Sequence, residues 1–265
     1  MGKQTQVRAC AIIVAGGSGT RFGNPGGKLL IEVAGKPLIT WTLEAFDAAE
    51  RVDRIIVVCP PEKAGEMRSL AVEPYAMATP IEFAQSGAER QDSTKSGLNA
   101  AGGAFDVVLV HDAARPLILP ETIDAAIEVL VDADKEVGAR LEEPSGDETV
   151  RSRASEGRSP HALDGVVCGQ PAVDTLKVID ADGCFAETPP RAKFWTVQTP
   201  QAFWTESLRR AYAWADRTGF VGTDDSSLVE GVGGRVRGFE SPRDNLKVTL
   251  PEDLAPVEAA LRARC

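Results

Sequence analysis

Short apolar runs rich in Val and Ile alternate with amphipathic stretches along the first half of the chain. The apolar runs predict strands at 9–15, 54–59, 81–84 and 105–110. The amphipathic stretches predict helices at 37–50, 61–71, 92–101 and 120–133. An uninterrupted run such as 107–110, which reads VVLV, is typical of a strand buried on both faces. The alternation therefore predicts an α/β fold in three layers, with helices on both faces of a mostly parallel sheet.

The second half of the chain departs from this regular alternation. Residues 135–162 carry many charges and no Phe, Trp or Tyr, which predicts a mobile, solvated insertion. Residues 171–195 predict an extended β-hairpin that turns near 181–183 and protrudes from the sheet as an arm. The remaining pattern predicts helices at 200–217, at 223–230 and from 251, and strands at 235–239 and 245–248. The chain has no internal repeat, and we interpret 1–265 as a single domain.

Composition narrows the class of protein. The net charge of −10 disfavours a general nucleic-acid surface, and no apolar run approaches the ~20 residues that a membrane span requires. No secretory apolar core precedes the first predicted strand. The five cysteines are odd in number and scattered without a CxxC pair, which favours reduced, buried thiols over disulfides or a metal site. We therefore expect a cytoplasmic protein with neither a nucleic-acid nor a membrane partner.

The first predicted strand leads directly into a glycine-rich turn. Residues 15–23 read AGGSGTRFG and are followed by Lys28. Glycines let backbone N–H groups approach a phosphate closely, and Arg21 and Lys28 can neutralise part of its charge. Because ligands bind at the carboxyl ends of the strands in such sheets, the turn indicates a site for a phosphorylated ligand.

Three phosphate-binding loops contain glycines of this kind, and the spacing separates them. A P-loop requires four residues between its glycines and a Ser or Thr after its Lys, whereas Gly23 and Gly27 enclose only three residues and Leu29 follows Lys28. A dinucleotide-binding turn requires GxGxxG at the start of a helix, but here GSG is followed by the segment NPGG, which does not start a regular helix. The spacing therefore favours the third option, an open loop wrapped around a triphosphate.

The glycine-rich turn and Lys28 are similar to the signature of nucleotidyltransferases that activate sugar or polyol phosphates. Three further segments accompany it: 89–93 (ERQDS), 110–116 (VHDAARP) and 244–249 (DNLKVT). In this order and at these separations, the segments resemble the 2-C-methyl-D-erythritol 4-phosphate cytidylyltransferase family of the non-mevalonate isoprenoid pathway. Segments 173–177 (VDTLK) and 197–201 (VQTPQ) match that family as well. The likeness covers nearly the whole chain except the termini and 135–162.

This resemblance implies a nucleotide-diphospho-sugar-transferase-like fold and a transferase that joins CMP from CTP to 2-C-methyl-D-erythritol 4-phosphate, releasing pyrophosphate. Close relatives act on D-ribitol 5-phosphate, and the sequence leaves this second polyol phosphate open. The resemblance also implies Mg²⁺ as the cofactor and a homodimer in which the arm, 171–195, clasps a second subunit.

The resemblance further implies which residues form the site. The catalytic residues would be Arg21, Lys28 and Lys247. The CTP-binding residues would be Ala15, Gly16, Gly17, Ser18, Gly19, Thr20, Gly87, Arg90, Ser93, Asp112 and Ala113. The residues that bind the polyol phosphate would be Thr175, Arg191, Thr199 and Thr223. Asp112 would in addition face the metal.

The implied reaction needs no strong general base, because the attacking phosphate oxygen is already an anion near neutral pH. The obstacle is the repulsion between two polyanions and the charge that develops on the leaving pyrophosphate. Positioning and electrostatic stabilisation should therefore supply most of the catalysis. We accordingly interpret His111, which precedes Asp112, as a positioning residue, and Arg115 as a structural ion-pair partner.

Overall fold

The computed structural model of this chain describes residues 7–17, 22, 27–142 and 161–264. The strands of the central sheet are β1 (Ala9–Val14), β4 (Arg54–Cys59), β5 (Ile81–Gln85), β6 (Val107–Asp112), β7 (Gly165–Pro171), β10 (Trp195–Trp204) and β11 (Val236–Glu240). Two small antiparallel pairs lie apart from it, β2 (Glu32–Val33) with β3 (Lys36–Pro37) and β8 (Val178–Ile179) with β9 (Phe185–Glu187). The α-helices are α1 (Leu38–Asp47), α2 (Pro61–Met67), α3 (Arg90–Ala101), α4 (Pro120–Glu142), α5 (Thr205–Thr218), α6 (Asp225–Gly231) and α7 (Leu254–Arg264).

The central sheet has the strand order β11-β7-β10-β6-β1-β4-β5. β1 pairs in parallel with β4 and β6, β4 with β5, and β7 with β11. Only β10 runs against its neighbours, between β6 and β7. The mostly parallel sheet predicted from the alternating pattern is therefore confirmed, with one antiparallel strand near its centre.

Helices cover both faces of the sheet, so its strands are buried on both sides. On one face Ala11 and Ile13 of β1 pack with apolar residues of α1 and α4. On the other face their neighbours Cys10 and Ile12 pack with residues of α3 and α5. This division explains the continuous apolar strands, because a strand covered twice has no polar side. Among the described residues, no helix is long and apolar enough to cross a membrane.

The structure corrects two of the predicted elements. Residues 200–204 are predicted to begin a helix, but they complete β10, and the helix begins at Thr205. Tertiary pairing explains the difference: Gln201 pairs with both Val110 and Val167 in the middle of the sheet. The strand predicted at 245–248 is absent from the described structure, where isolated hydrogen bonds hold this segment instead of a ladder.

The ends of the predicted insertion, 135–162, are more ordered than the prediction states. α4 does not stop at 133 but runs on to Glu142. At the other end, the Asp134 carboxylate accepts a hydrogen bond from the Ala162 backbone N–H at 2.7 Å, and the His161 ring stacks on Trp204 with centroids 4.2 Å apart. The rest of the insertion, 143–160, lies outside the described residues.

The arm leaves the sheet after Pro171 and returns through Trp195, which pairs with Pro171 in the β7–β10 ladder. It contains the β8–β9 hairpin, whose turn spans 181–183 as predicted, with Gly183 at φ +78°. Buried free thiols are confirmed for Cys10, Cys59 and Cys168. Cys184 is a correction: it is exposed, because it lies beside the turn of the arm.

Candidate active site

A cavity of about 560 Å³ opens at the carboxyl ends of β1, β4 and β6. The predicted site residues that line it are Ala15, Gly16, Gly17, Lys28, Gly87, Arg90, Ser93, Asp112, Ala113 and Lys247. They come from five separate chain segments, which the parallel strands bring to one edge of the sheet. Ser18, Gly19, Thr20 and Arg21 were predicted for the same site and lie outside the described residues.

Asp112, the last residue of β6, is surrounded by three cations. Its Oδ2 lies 2.9 Å from Lys247 Nζ and 3.3 Å from Arg115 Nε, and its Oδ1 lies 3.7 Å from Arg90 Nε. Burial alone would raise the pKa of this carboxyl, but Lys247, Arg90 and Arg115 outweigh it and hold the pKa far below its usual range. Asp112 is therefore a permanently ionised anchor that orients the positive charges of the site.

The side chains beneath Asp112 fix its backbone. Thr199 Oγ1 accepts a hydrogen bond from the Asp112 N–H at 3.0 Å and lies 3.0 Å from Nδ1 of the fully buried His111. Burial, together with the nearby charges of Arg115 and Lys247, lowers the pKa of His111 to about 3 against the opposing effect of Asp112. The ring is thus neutral and cut off from solvent, which suits a positioning residue and not a general base.

Thr199 does not occupy the place expected for a ligand of the polyol phosphate. Its side chain is buried, and its hydroxyl is engaged by Asp112 and His111 instead of facing the cavity. Asn245 also holds the backbone of Thr199, because its Nδ2 donates a hydrogen bond to the Thr199 carbonyl at 2.9 Å. This placement favours a role for Thr199 in orienting Asp112.

Lys28 and the segment that carries Lys247 meet on one wall of the cavity. Lys28 Nζ donates a hydrogen bond to the carbonyl of Val248, the residue after Lys247. The Val248 N–H in turn donates to the Ala114 carbonyl at 2.8 Å, just beyond the end of β6. Two lysines that are 219 positions apart in sequence are therefore held by one short stretch of backbone.

Two glycines of the cavity lie where a side chain would not fit. A Cβ added to Gly16 would lie 2.5 Å from the Ser86 Cβ, and one added to Gly87 would lie 2.2 Å from the Asp92 Cβ. Gly16 thus lets the turn after β1 pack closely against Ser86, which follows β5, and Gly87 lets the chain turn tightly into α3.

Besides Thr199, three predicted site residues do not line the cavity of this single chain. Thr175 and Arg191 are exposed on the arm, where Arg191 Nη1 donates to the Val173 carbonyl at 2.8 Å. Thr223 is exposed just before α6. None of these three residues is among the described residues that line the cavity.

The cavity also contains residues that the sequence analysis missed. Pro60, Glu62 and Lys63 line it from the start of α2. Their position directly after β4 is the signal that could have found them, because the carboxyl ends of parallel strands share one edge. Arg115, interpreted as a structural partner, does form an ion pair, and that pair is with the central carboxylate of the site.

Known proteins match this chain over nearly its whole length. The family model described as IspD, 2-C-methyl-D-erythritol 4-phosphate cytidylyltransferase, matches residues 9–156 and 147–263. A curated protein of that name from Bacillus licheniformis is 38% identical over 252 residues, with 95% of each chain covered. Another, from Caldanaerobacter subterraneus, is 33% identical over 252 residues, covering 95% of this chain and 98% of the relative.

Solved structures agree with these sequence matches. The crystal structure of 4-diphosphocytidyl-2C-methyl-D-erythritol synthase from Anaerococcus prevotii superposes with a TM-score of 0.76 at 26% identity, covering 97% of both chains. That of 2-C-methyl-D-erythritol 4-phosphate cytidylyltransferase from Thermus thermophilus gives a TM-score of 0.66 at 28% identity, covering 97% of this chain and all of the other. The chain therefore belongs to the 2-C-methyl-D-erythritol 4-phosphate cytidylyltransferase (IspD) family.

Proposed function

We propose that this chain is a cytidylyltransferase that joins 2-C-methyl-D-erythritol 4-phosphate to the CMP moiety of CTP. A phosphate oxygen of the polyol attacks the α-phosphorus of CTP, a new P–O bond forms, and the bond to the leaving pyrophosphate breaks. The observation that carries this proposal is the ion-pairing of Arg90, Arg115 and Lys247 with the ionised Asp112, at a cavity that Lys28 also lines.

This arrangement fits a reaction between two polyanions. The cations offset the repulsion between the attacking phosphate and CTP, and they stabilise the charge on the departing pyrophosphate. Asp112 lies 2.9 Å from Lys247 Nζ and so restrains that side chain before the substrates bind. No proton has to be removed from the nucleophile, which agrees with a buried, neutral His111. Arg21 is proposed to act with Lys28 on the CTP phosphates.

Mg²⁺ is proposed to be bound mainly through phosphate oxygens of CTP. The described residues contain no group of three or more His, Cys, Asp or Glu side chains that could hold a metal alone. Asp112 is a carboxylate of the cavity that can face such an ion, although Lys247 and Arg115 already engage its Oδ2. When bound, the ion would neutralise charge on the triphosphate.

The free thiols of the described cysteines fit the reducing cytoplasm, where we propose that the enzyme works.

A second copy of the chain is proposed to complete the site. The arm exposes Val173, Ile179 and Phe185, whose relative exposures are 53%, 63% and 72%, and an isolated two-stranded ribbon is marginal in water. A partner subunit would cover these side chains, and Thr175 and Arg191, which lie outside the cavity of their own chain, would reach the partner's site. Mixing Arg191→Ala with Lys247→Ala should then restore activity in verified hybrid dimers, each of which holds one intact site. Inactive hybrids, or an active wild type that sediments as a monomer, would contradict the shared site.

The function is tested by an assay of pyrophosphate release. CTP, UTP, ATP and GTP are each combined with 2-C-methyl-D-erythritol 4-phosphate and, separately, with D-ribitol 5-phosphate. We expect turnover with CTP and the methylerythritol phosphate, and little with the other combinations. A preference for the ribitol phosphate, or for another nucleotide, would overturn the proposed substrate pair.

A further inference from the structure

Arg90 is shared between two carboxylates, only one of which lines the cavity. This residue opens α3, and its Nη1 lies 2.7 Å from Asp225 Oδ2, whereas its Nε lies 3.7 Å from Asp112 Oδ1. Asp225 is the first residue of α6 and is 1% exposed. The closer partner of a cavity arginine is therefore a buried carboxylate that lies outside the cavity.

A buried tyrosine holds Asp225 in turn. The hydroxyl of Tyr212, on α5, donates to Asp225 Oδ1 at 2.6 Å, so both oxygens of the carboxylate are engaged. Burial raises the pKa of Tyr212, and the adjacent Asp225 raises it further, so the hydroxyl keeps the proton that it donates. Burial would lower the pKa of Arg90, but Asp225 and Asp112 outweigh that effect, so the guanidinium stays charged.

From these distances we infer where the Arg90 guanidinium would move without Asp225. Arg90 would lose its 2.7 Å partner, and among the described residues the carboxylate left within ion-pair distance would be Asp112, 3.7 Å away. Asp112 already pairs with Lys247 and Arg115, and a third close cation would compete with Lys247 for it. The guanidinium would thus be drawn onto the anchor of the site, and away from a ligand in the cavity.

We propose that Asp225 is a positioning residue of the CTP site, which holds the Arg90 guanidinium off Asp112 so that it can face the nucleotide, and that Tyr212 fixes the carboxylate. Three helices, α3, α5 and α6, are thereby joined behind a single cavity cation. The inference rests on the proposed function, because it takes the ligand of Arg90 to be CTP.

The test measures the Kd for CTP by calorimetry, without polyol phosphate, in Arg90→Ala, Asp225→Asn and the double variant. If Asp225 acts through Arg90, each single change should weaken CTP binding by about tenfold or more, and the double variant should bind no more weakly than Arg90→Ala alone. Asp216→Asn is the matched control, because it breaks an exposed 2.6 Å pair with Lys95 between the same helices α5 and α3. This control should leave the Kd unchanged.

A milder variant keeps the test decisive if Asp225→Asn does not fold. Tyr212→Phe removes only the hydroxyl bonded to Asp225, so it should raise the Kd for CTP in the wild-type background and not in the Arg90→Ala background. Additive losses in both backgrounds would indicate general structural damage and overturn the inference. The proposed function would still stand in that case, provided that the wild type binds CTP and turns over the methylerythritol phosphate. Conversely, a wild type that binds CTP with this non-additive pattern but fails to turn over the methylerythritol phosphate would overturn the proposed reaction alone. A wild type that does not bind CTP would overturn both.

Discussion

The buried His111 predicts a specific dependence of stability on pH. Its ring is fully buried, lies 5.0 Å from the Phe46 ring between centroids, and stays neutral in the folded protein down to about pH 3. In the unfolded chain the same ring takes up a proton near its ordinary pKa of 6.5. Between these two values the unfolded state binds more protons, so the free energy of unfolding must fall as the pH falls below 6.5.

The size of the effect follows from the two pKa values. Each pH unit below 6.5 removes up to about 1.4 kcal/mol, which amounts to about 2 kcal/mol at pH 5 relative to pH 7. This figure depends almost entirely on the pKa of the unfolded chain, because the folded ring is neutral throughout that range. Asp112 does not disturb the comparison: its lowered pKa contributes stability that is lost only at pH values below the ordinary value of 3.8.

The assay is urea unfolding at pH 7 and pH 5 for the wild type and for His111→Gln. The wild type should lose about 2 kcal/mol more between the two pH values than the variant does. His161→Gln is the matched control, because the chain has only two histidines and this change leaves the buried ring in place, so the share of the pH dependence due to His111 should persist. Equal losses in the wild type and His111→Gln would refute the neutral, buried ring. The variant should also retain substantial turnover at pH 7, whereas complete loss of turnover in a folded variant would reinstate a general base.

Three further predictions concern the rest of the molecule. Lys28→Ala and Lys247→Ala should each lower kcat by roughly 10²–10³ while changing CTP affinity far less, and near-normal kcat in pyrophosphate release would exclude either lysine from transition-state stabilisation. Replacing residues 143–160 with a Gly/Ser linker should leave Tm and turnover nearly unchanged, whereas replacing 135–162 should lower Tm, because it removes the contacts of His161 and Ala162. Thr199→Val should cost about 1–3 kcal/mol of stability in urea unfolding, because it leaves the buried Asp112 N–H unpaired, and Thr199→Ser should restore most of it.

One part of the site follows from a local pattern: the glycine turn comes after an apolar strand, so the rule for parallel sheets predicts it at the carboxyl edge. Gly87 and Asp112 were expected in the same site only from the family resemblance, and the structure places them with Gly16 in one cavity. Thr199 was harder, because its role depends on burial. Its segment enters the sheet between β6 and β7, and that pairing joins residues nearly ninety positions apart, as the Asp112–Thr199 hydrogen bond shows.

Three other features that the sequence analysis missed have equally physical causes. Pro200 suits the first turn of a helix, but the neighbouring strands offer a ladder that overrides this local preference from Gln201 onwards. The last turns of α4, up to Glu142, do carry Val137 and Leu141 at helical spacing from Ala133, but the many charges around them led to the helix being ended at 133. The Arg90–Asp225 pair joins residues 135 positions apart, and no local pattern marks such a contact.

Asp134 gives the chain a place where its length can change at little cost. Because this carboxylate binds the Ala162 N–H, the excursion from 135 to 161 leaves and rejoins the domain at the same point. A closed excursion of this kind adds only loop-closure entropy, about 0.6 kcal/mol for each doubling of its length. Homologues could therefore gain or lose residues here without repacking the sheet. For the same reason, a fluorescent reporter domain inserted within 143–160 would be flanked by Asp134 and Ala162, which already lie in contact. The enzyme could thus be tagged internally while both termini stay unaltered.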